Sequence, residues 1–347
     1  MSPARGFASD NHAGAHPEVV AAIAAANEGH ATAYGEDPQT ALVGELFKQH
    51  LGPDAEAFLV FNGSGANVAC LDAVTRGYEA AICTDVAHMN VDECGAPERI
   101  ADTKLLTVAT EHGKLTPGDI GRWKDKRGDE HFAQPRVVSI TEATEVGTVY
   151  TADEIGEIAA AAQELDMLVH VDGSRLANAA ASLDLPLRAL TTDAGVDLLS
   201  FGGTKNGLLF GEAVVFLRPG LADGFEFVRK QLGQLASKMR FVAAQFEVLL
   251  GTDLWQRNAL HANGMALRLA EGVAAVDGVE IVHPVETNAV FARLERRAID
   301  ALLESWPYQR PFYVWDEAEN VVRWMCAWDT APEDVDEFVG AVRAAVS

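Results

Sequence analysis

The sequence predicts an α/β protein whose larger domain carries a mostly parallel sheet and whose smaller C-terminal domain is α+β. Two observations support this. Short apolar runs rich in branched residues recur as far as residue 217, with helical patterns between them. Past residue 221 the order changes to long helical stretches followed by short strands. Branched runs without polar alternation suit strands covered on both faces, and strand–helix alternation suits a parallel sheet.

The elements follow in order. AAIAAAN (21–27) reads as a helix with Pro17 in its first turn. Strands are expected at AFLVF (57–61), AAIC (80–83), KLLTVAT (104–110), RVVSIT (136–141), MLVHVD (167–172), DLLSFG (197–202) and AVVFL (213–217). Helices are expected at 65–74, 116–123, 151–165 and 175–182, the third opening on the capping-box pair Thr151 and Glu154. Two long helices, 221–250 and 255–276, lead into strands at 279–282, 288–294 and 321–326, and a helix over 333–346 closes the chain. The expected division is a large domain over 1–250, with an N-terminal arm, and a small one over 251–347.

Composition narrows the function. The chain has 347 residues, 48% hydrophobic and 22% charged, which is globular and large enough for a substantial core. No apolar run reaches the ~20 residues of a membrane span, and the first residues lack the apolar segment of an export signal. A soluble, non-exported protein is expected. Four cysteines without a C-x-x-C pair fit a reduced, cytoplasmic compartment and give no metal site. A net charge of −24 repels nucleic acid and anionic membrane surfaces and favours solubility.

Three stretches carry chemistry. LLSFGGTKNG (198–207) delivers Lys205 at the end of a buried-type strand among residues with small side chains. HVDGSR (170–175) places Asp172 at a strand end, and Lys205 is read as ending the next strand but one. Ligands of open parallel sheets bind beyond such ends. FNGSGAN (61–67) offers Gly63, Ser64 and Gly65 before a helix, where backbone N–H groups can meet an anion. A lysine for an aldehyde, a carboxylate for a pyridinium nitrogen and a phosphate cradle together point to pyridoxal 5'-phosphate (PLP).

With FASDNHAG, AYGEDP, AHMNVDECGAPE, GKLTP, TEATEVGTVY, LASKMR and RWMCAWDT added, nearly the whole chain resembles the threonine aldolases. These are PLP enzymes of the aspartate-aminotransferase-like fold (fold type I), and the low-specificity bacterial branch is the most similar. The resemblance implies lyase chemistry: cleavage of L-threonine, L-allo-threonine and other β-hydroxy-α-amino acids to glycine and an aldehyde. Phenylserine cleavage, β-elimination and transamination are the rival reactions on the same fold; a cofactor-free assembly protein is the rival of another class. Lys205 is implied as the covalent lysine, Asp172 as the partner of the ring nitrogen, and Gly63, Ser64 and Gly65, with the Thr204 hydroxyl, as the phosphate site. The small residues around Lys205 are read as room for the cofactor. His88 is implied to stack on the ring and, directly or through a water, to act as base, with Lys205 as the alternative. Ser9, Arg175 and Arg323 are implied to grip the substrate carboxylate, Arg175 also touching the cofactor. Tyr34, as a substrate contact, and Arg240, as a cofactor contact, are implied near the active site across a subunit boundary of a homotetramer built from dimers. Glu145, in TEATEVG, stands where another branch of the family has histidine, and is expected beside the substrate's β-substituent.

Overall fold

The computed structural model describes residues 5–347. The larger sheet contains β1 (Glu56–Val60), β2 (Glu79–Thr84), β3 (Lys104–Val108), β4 (Gln134–Thr141), β5 (Leu168–Gly173), β6 (Leu198–Gly202) and β7 (Glu212–Phe216). All of the runs predicted there are strands. Their order is β1-β7-β6-β5-β4-β2-β3. β7 is antiparallel to both neighbours, β1 and β6, while the other pairings are parallel. Strand β7 alone is therefore reversed, and the carboxyl ends of the rest share one edge. That edge is where a ligand meets an open sheet.

A second, antiparallel sheet has the order β10-β11-β9-β8, from β8 (Glu280–Ile281), β9 (Ala289–Arg293), β10 (Tyr313–Asp316) and β11 (Val321–Met325). Its core is aromatic: Phe338 contacts Phe7, Trp306, Phe312 and Trp324, with the Phe7 ring stacked at 4.5 Å. Truncating such a buried ring costs about 3–5 kcal/mol. The N-terminal segment is held by this core, since Phe7 donates to Pro311 O and its own carbonyl accepts from Met325 N. Ala8, Ser9 and Asp10 are thereby carried to the sheet edge. Helix Leu254–Ala274 serves both cores: Leu254 and Ala259 pack under the large sheet, Leu269 and Val273 under the small one.

Three departures have physical causes. The stretch 221–250 is two helices, Phe225–Gln231 and Arg240–Gly251: Gly224, at φ +81°, delays the start of the first, and Gly233, at φ +70°, separates the two. Helix Pro38–Leu51, unpredicted, starts at Asp37, whose Oδ1 accepts from Thr40 N at 2.9 Å, and buries Val43, Leu46, Phe47 and Leu51. Helix Arg296–Ser305 and β10 are likewise additional. No helix among the described residues is long and apolar enough to cross a membrane.

Candidate active site

Asp172, at the end of β5, pairs directly with Ser200 of β6, so Lys205 ends the adjacent strand rather than the next but one. Lys205 follows β6 in a short 3₁₀ turn, Thr204–Asn206. The flanking glycines have a reason other than room for a cofactor. A Cβ on Gly202 would lie 2.4 Å from the Ser174 carbonyl oxygen, and one on Gly203 would lie 2.6 Å from that of Gly211. Backbone packed against backbone leaves only glycine, and this fixes where the lysine emerges. Burial, with Arg175 close by, lowers the Lys205 pKa, and no hydrogen bond to its amine is formed within the described residues. A desolvated amine of this kind is the more nucleophilic for it.

The Asp172 carboxylate is buried. Oδ2 accepts from Asn67 Nδ2 at 2.8 Å and Oδ1 from Ser174 N at 3.0 Å. Burial alone would raise its pKa, but Lys205 and the Asn67 amide outweigh it and hold the group ionised. Beneath it His170 sits between the hydroxyls of Ser139 and Ser200, at 2.9 and 3.0 Å, and burial pushes its pKa down to about 4. His170 is thus a neutral strut. His88 opens helix His88–Val91 after β2, and its Nδ1 meets Glu93 Oε1 at 2.9 Å. That hydrogen bond raises the His88 pKa against the effect of burial. The sequence reading missed Asn67 and Glu93, although both lie inside stretches it quoted.

A cavity of about 480 Å³ opens over these groups, lined from both sheets by Ser9, His88, Glu145, Arg175, Lys205 and Arg323 among others. The two arginines differ. Arg175 holds Asp10 in a fork, Nε to Oδ2 at 2.7 Å and Nη2 to Oδ1 at 3.0 Å, and Asp10 Oδ2 also accepts from Asn288 Nδ2. Arg323, on β11, gives Nη2 to Ala8 O and lies between the rings of Tyr313 and Trp315 at 5.4 and 5.3 Å. Its Nε is buried without an acceptor, and burial, with Arg175 close by, lowers its pKa to about 10. Arg323 has donors left for an incoming carboxylate, whereas the Nε–Nη2 edge of Arg175 is already committed. Asp10, another residue not singled out from sequence, is what commits it. Ser9 Oγ caps its own turn by accepting from Asn11 N.

Glu145 Oε1 accepts from His88 N at 2.8 Å and Thr141 Oγ1 at 2.7 Å, while Oε2 has no partner. Burial pushes its pKa up to about 7. Gly63, Ser64 and Gly65 form the first turn of helix Gly63–Val74, which starts two residues earlier than predicted, and Asn62 Oδ1 already accepts from Gly65 N at 2.7 Å. They lie outside the cavity lining. Val60 and Gly202 are both paired with Glu212, so this turn and the Lys205 turn leave strands about 10 Å apart, two strand spacings. The Thr204 hydroxyl accepts from Gly211 N. Tyr34 and Arg240 also lie outside the cavity lining. Tyr34 is 51% exposed, and Arg240 donates to the carbonyls of Glu28 and Gly29.

An unpaired, partly desolvated lysine next to an ionised, hydrogen-bonded carboxylate, with a helix N-terminus two strands away, is a donor set that fits PLP. The model of the beta-eliminating lyase family matches residues 6–297. The chain belongs to that family. It is 48% identical over 339 residues to the low specificity L-threonine aldolase of Pseudomonas aeruginosa, covering 97% of this chain and 96% of the relative. To the enzyme of that name from a Pseudomonas species it is 45% identical, covering 98% of each. The solved threonine aldolase of Leishmania major superposes with a TM-score of 0.91 at 30% identity, covering 98% of this chain and 99% of that one. The chain thus has the fold-type-I architecture that the resemblance implied.

Proposed function

We propose that the protein is a PLP-dependent aldehyde-lyase that cleaves L-threonine and L-allo-threonine to glycine and acetaldehyde. The observation that carries this is one cavity holding an unpaired Lys205 and, on its far wall, an arginine with unused donors. The kinship to low specificity L-threonine aldolases supports it. PLP, when bound, supplies an electron-accepting ring conjugated to the substrate amine. Lys205 would anchor it, the amides of Gly63 and Ser64 would hold its phosphate, and Asp172 would keep a proton on its ring nitrogen. Arg323 and Ser9 hold the substrate carboxylate, and Arg175 shapes the same wall through Asp10. His88 accepts the β-hydroxyl proton as the Cα–Cβ bond breaks, and Lys205 is placed to return a proton at Cα.

Incubation of the PLP-loaded protein with L-threonine should yield glycine and acetaldehyde in equal amounts. Ammonia with 2-oxobutyrate, or a keto acid formed without acetaldehyde, would overturn the reading in favour of elimination or transamination. Val91, Val314 and Trp315 add apolar lining to the cavity, which supports acceptance of larger β-substituents such as that of phenylserine. We also assign residues 1–250 and 251–347 to separate domains, a cytoplasmic location, and a homotetramer in which Tyr34 and Arg240 approach a neighbour's site. Tyr34 N donates to Ser237 O beside Arg240, and Lys230 lies 5.0 Å over the Tyr34 ring, so these residues share one surface that supports the assignment. Sedimentation of the holoenzyme tests the oligomeric state, a monomer being the outcome against it.

A further inference from the structure

Behind His88, which lines the cavity, polar side chains form a continuous chain. Glu93 follows the His88 helix, and its side chain has no solvent exposure. Its Oε1 accepts from His88 Nδ1 and from Asn67 Nδ2, each at 2.9 Å. The same Asn67 amide donates to Asp172 Oδ2 at 2.8 Å. An amide has two N–H donors, and here each serves a different carboxylate. The Asn67 amide can only donate, so Glu93 Oε1 is the acceptor of this pair and presents an acceptor to His88 Nδ1 as well. An acceptor at this distance favours the neutral tautomer with its proton on Nδ1, in which Nε2 is the ring's lone-pair nitrogen.

The arrangement is costly. Glu93 Oε2 and Asn67 Oδ1 are buried without a partner among the described residues. Such groups lower stability relative to apolar side chains of the same shape. Simple packing of helix against sheet does not call for them. What the chain does secure is the orientation of its two ends, an imidazole on the cavity wall and a carboxylate at the end of β5.

We propose that Glu93 is a positioning residue which, linked through Asn67 to Asp172, fixes the ring and tautomer of His88 so that Nε2 is the proton acceptor. The proposal rests on the reading of His88 as base. The charged groups facing His88 are Glu93, Asp172 and Lys205, and Glu145 holds its backbone N–H. Glu93 and Asp172 favour the imidazolium, while Lys205 opposes it. The Glu93 hydrogen bond is the largest of these influences, so its removal should move the His88 titration to lower pH.

The test uses holoenzyme labelled with ¹⁵N-histidine, the His88 signals being assigned by their loss in His88→Gln. Wild type should show the Nδ1-protonated tautomer. Glu93→Gln, nearly isosteric, should show a mixture of tautomers and a lower titration midpoint. The acidic limb of its kcat/KM profile should follow that midpoint, with kcat down about tenfold and KM within about twofold. Glu93→Asp keeps the charge and should recover part of the kcat. A Glu93→Gln spectrum unchanged in tautomer and midpoint overturns the proposal, and so does an altered tautomer with undiminished kcat. If His88→Gln keeps wild-type kcat, the base assignment fails on its own, and the spectra still decide whether Glu93 sets the tautomer.

Discussion

The two walls of the cavity treat charge in opposite ways. On the large-sheet wall His88 is bonded through the buried Glu93 and Asn67 to Asp172. On the small-sheet wall Arg323 is buried between two aromatic rings with Nε unpaired. The first wall is organised to hold the electronics of a resident group constant. The second keeps a donor unsatisfied until an anion supplies the acceptor. Arg175 sits between the two and belongs to the first, because Asp10 has already taken its fork. Two arginines on one cavity thus have different work, and removing each should fail differently.

The largest effect should come from Lys205→Ala. Aldol cleavage and the visible absorbance of covalently held PLP should both vanish. Thermal stability should stay near wild type, because the amine makes no hydrogen bond and its burial is unfavourable. Borohydride-reducible PLP persisting on the variant would sink the assignment. Next comes Asp172→Asn. The amide can keep a hydrogen bond but not the charge, so PLP should remain while kcat drops by about 100-fold or more. Turnover within a few-fold of wild type would show that this wall does not tune the ring.

The arginine contrast is sharper still. Arg323→Lys should raise KM for threonine at least tenfold, since an ammonium cannot reproduce the fork and a charge-assisted hydrogen bond is worth roughly 1.5–3 kcal/mol. Its melting temperature should barely change. Arg175→Ala should instead lower the melting temperature, because a buried Asp10 left without its partner costs about 3–5 kcal/mol. The measurement is a melting curve beside a KM for each variant. Should Arg175→Ala leave stability intact and raise only KM, the two walls are not distinct.

The parts legible in the sequence were those set by local pattern. Branched apolar runs announced the strands of the large sheet, and strand-end Asp172 and Lys205 marked the edge on which the cavity opens. Asn67, Glu93 and Asp10 were not legible, because each matters through a partner distant in sequence: Asn67 and Asp172 are 105 residues apart, Asp10 and Arg175 165. Helix Arg296–Ser305 was readable, since Ala298, Ile299 and Leu302 recur on one face, and was missed. The glycines around Lys205 were noticed, but their cause was not. Only coordinates show a carbonyl where a Cβ would go.

The smallest expected effect tests Glu145, which stands between the two walls. Its Oε1 is saturated by His88 N and Thr141, so only Oε2 can meet a substrate. With a pKa raised to about 7, Oε2 is a donor below neutrality and an acceptor above it. The folded protein keeps this proton between about pH 4.5, its ordinary value, and about 7, while the unfolded chain has lost it. Glu145 therefore makes stability fall as pH rises through that window and adds no further slope above it. Glu145→Gln should flatten that part of the stability curve. Threonine and allo-threonine present hydroxyl and methyl in exchanged directions, so a group beside Cβ weighs on their ratio. A mispaired polar contact costs on the order of 1 kcal/mol, enough for several-fold discrimination. Glu145→His should change the threonine to allo-threonine ratio of kcat/KM by more than about threefold, with PLP affinity little altered. In wild type the same ratio should drift across pH 7, and in Glu145→Gln it should not. Equal changes for both substrates, with no drift, would mean that Glu145 secures His88 through its backbone and does not read the β-carbon.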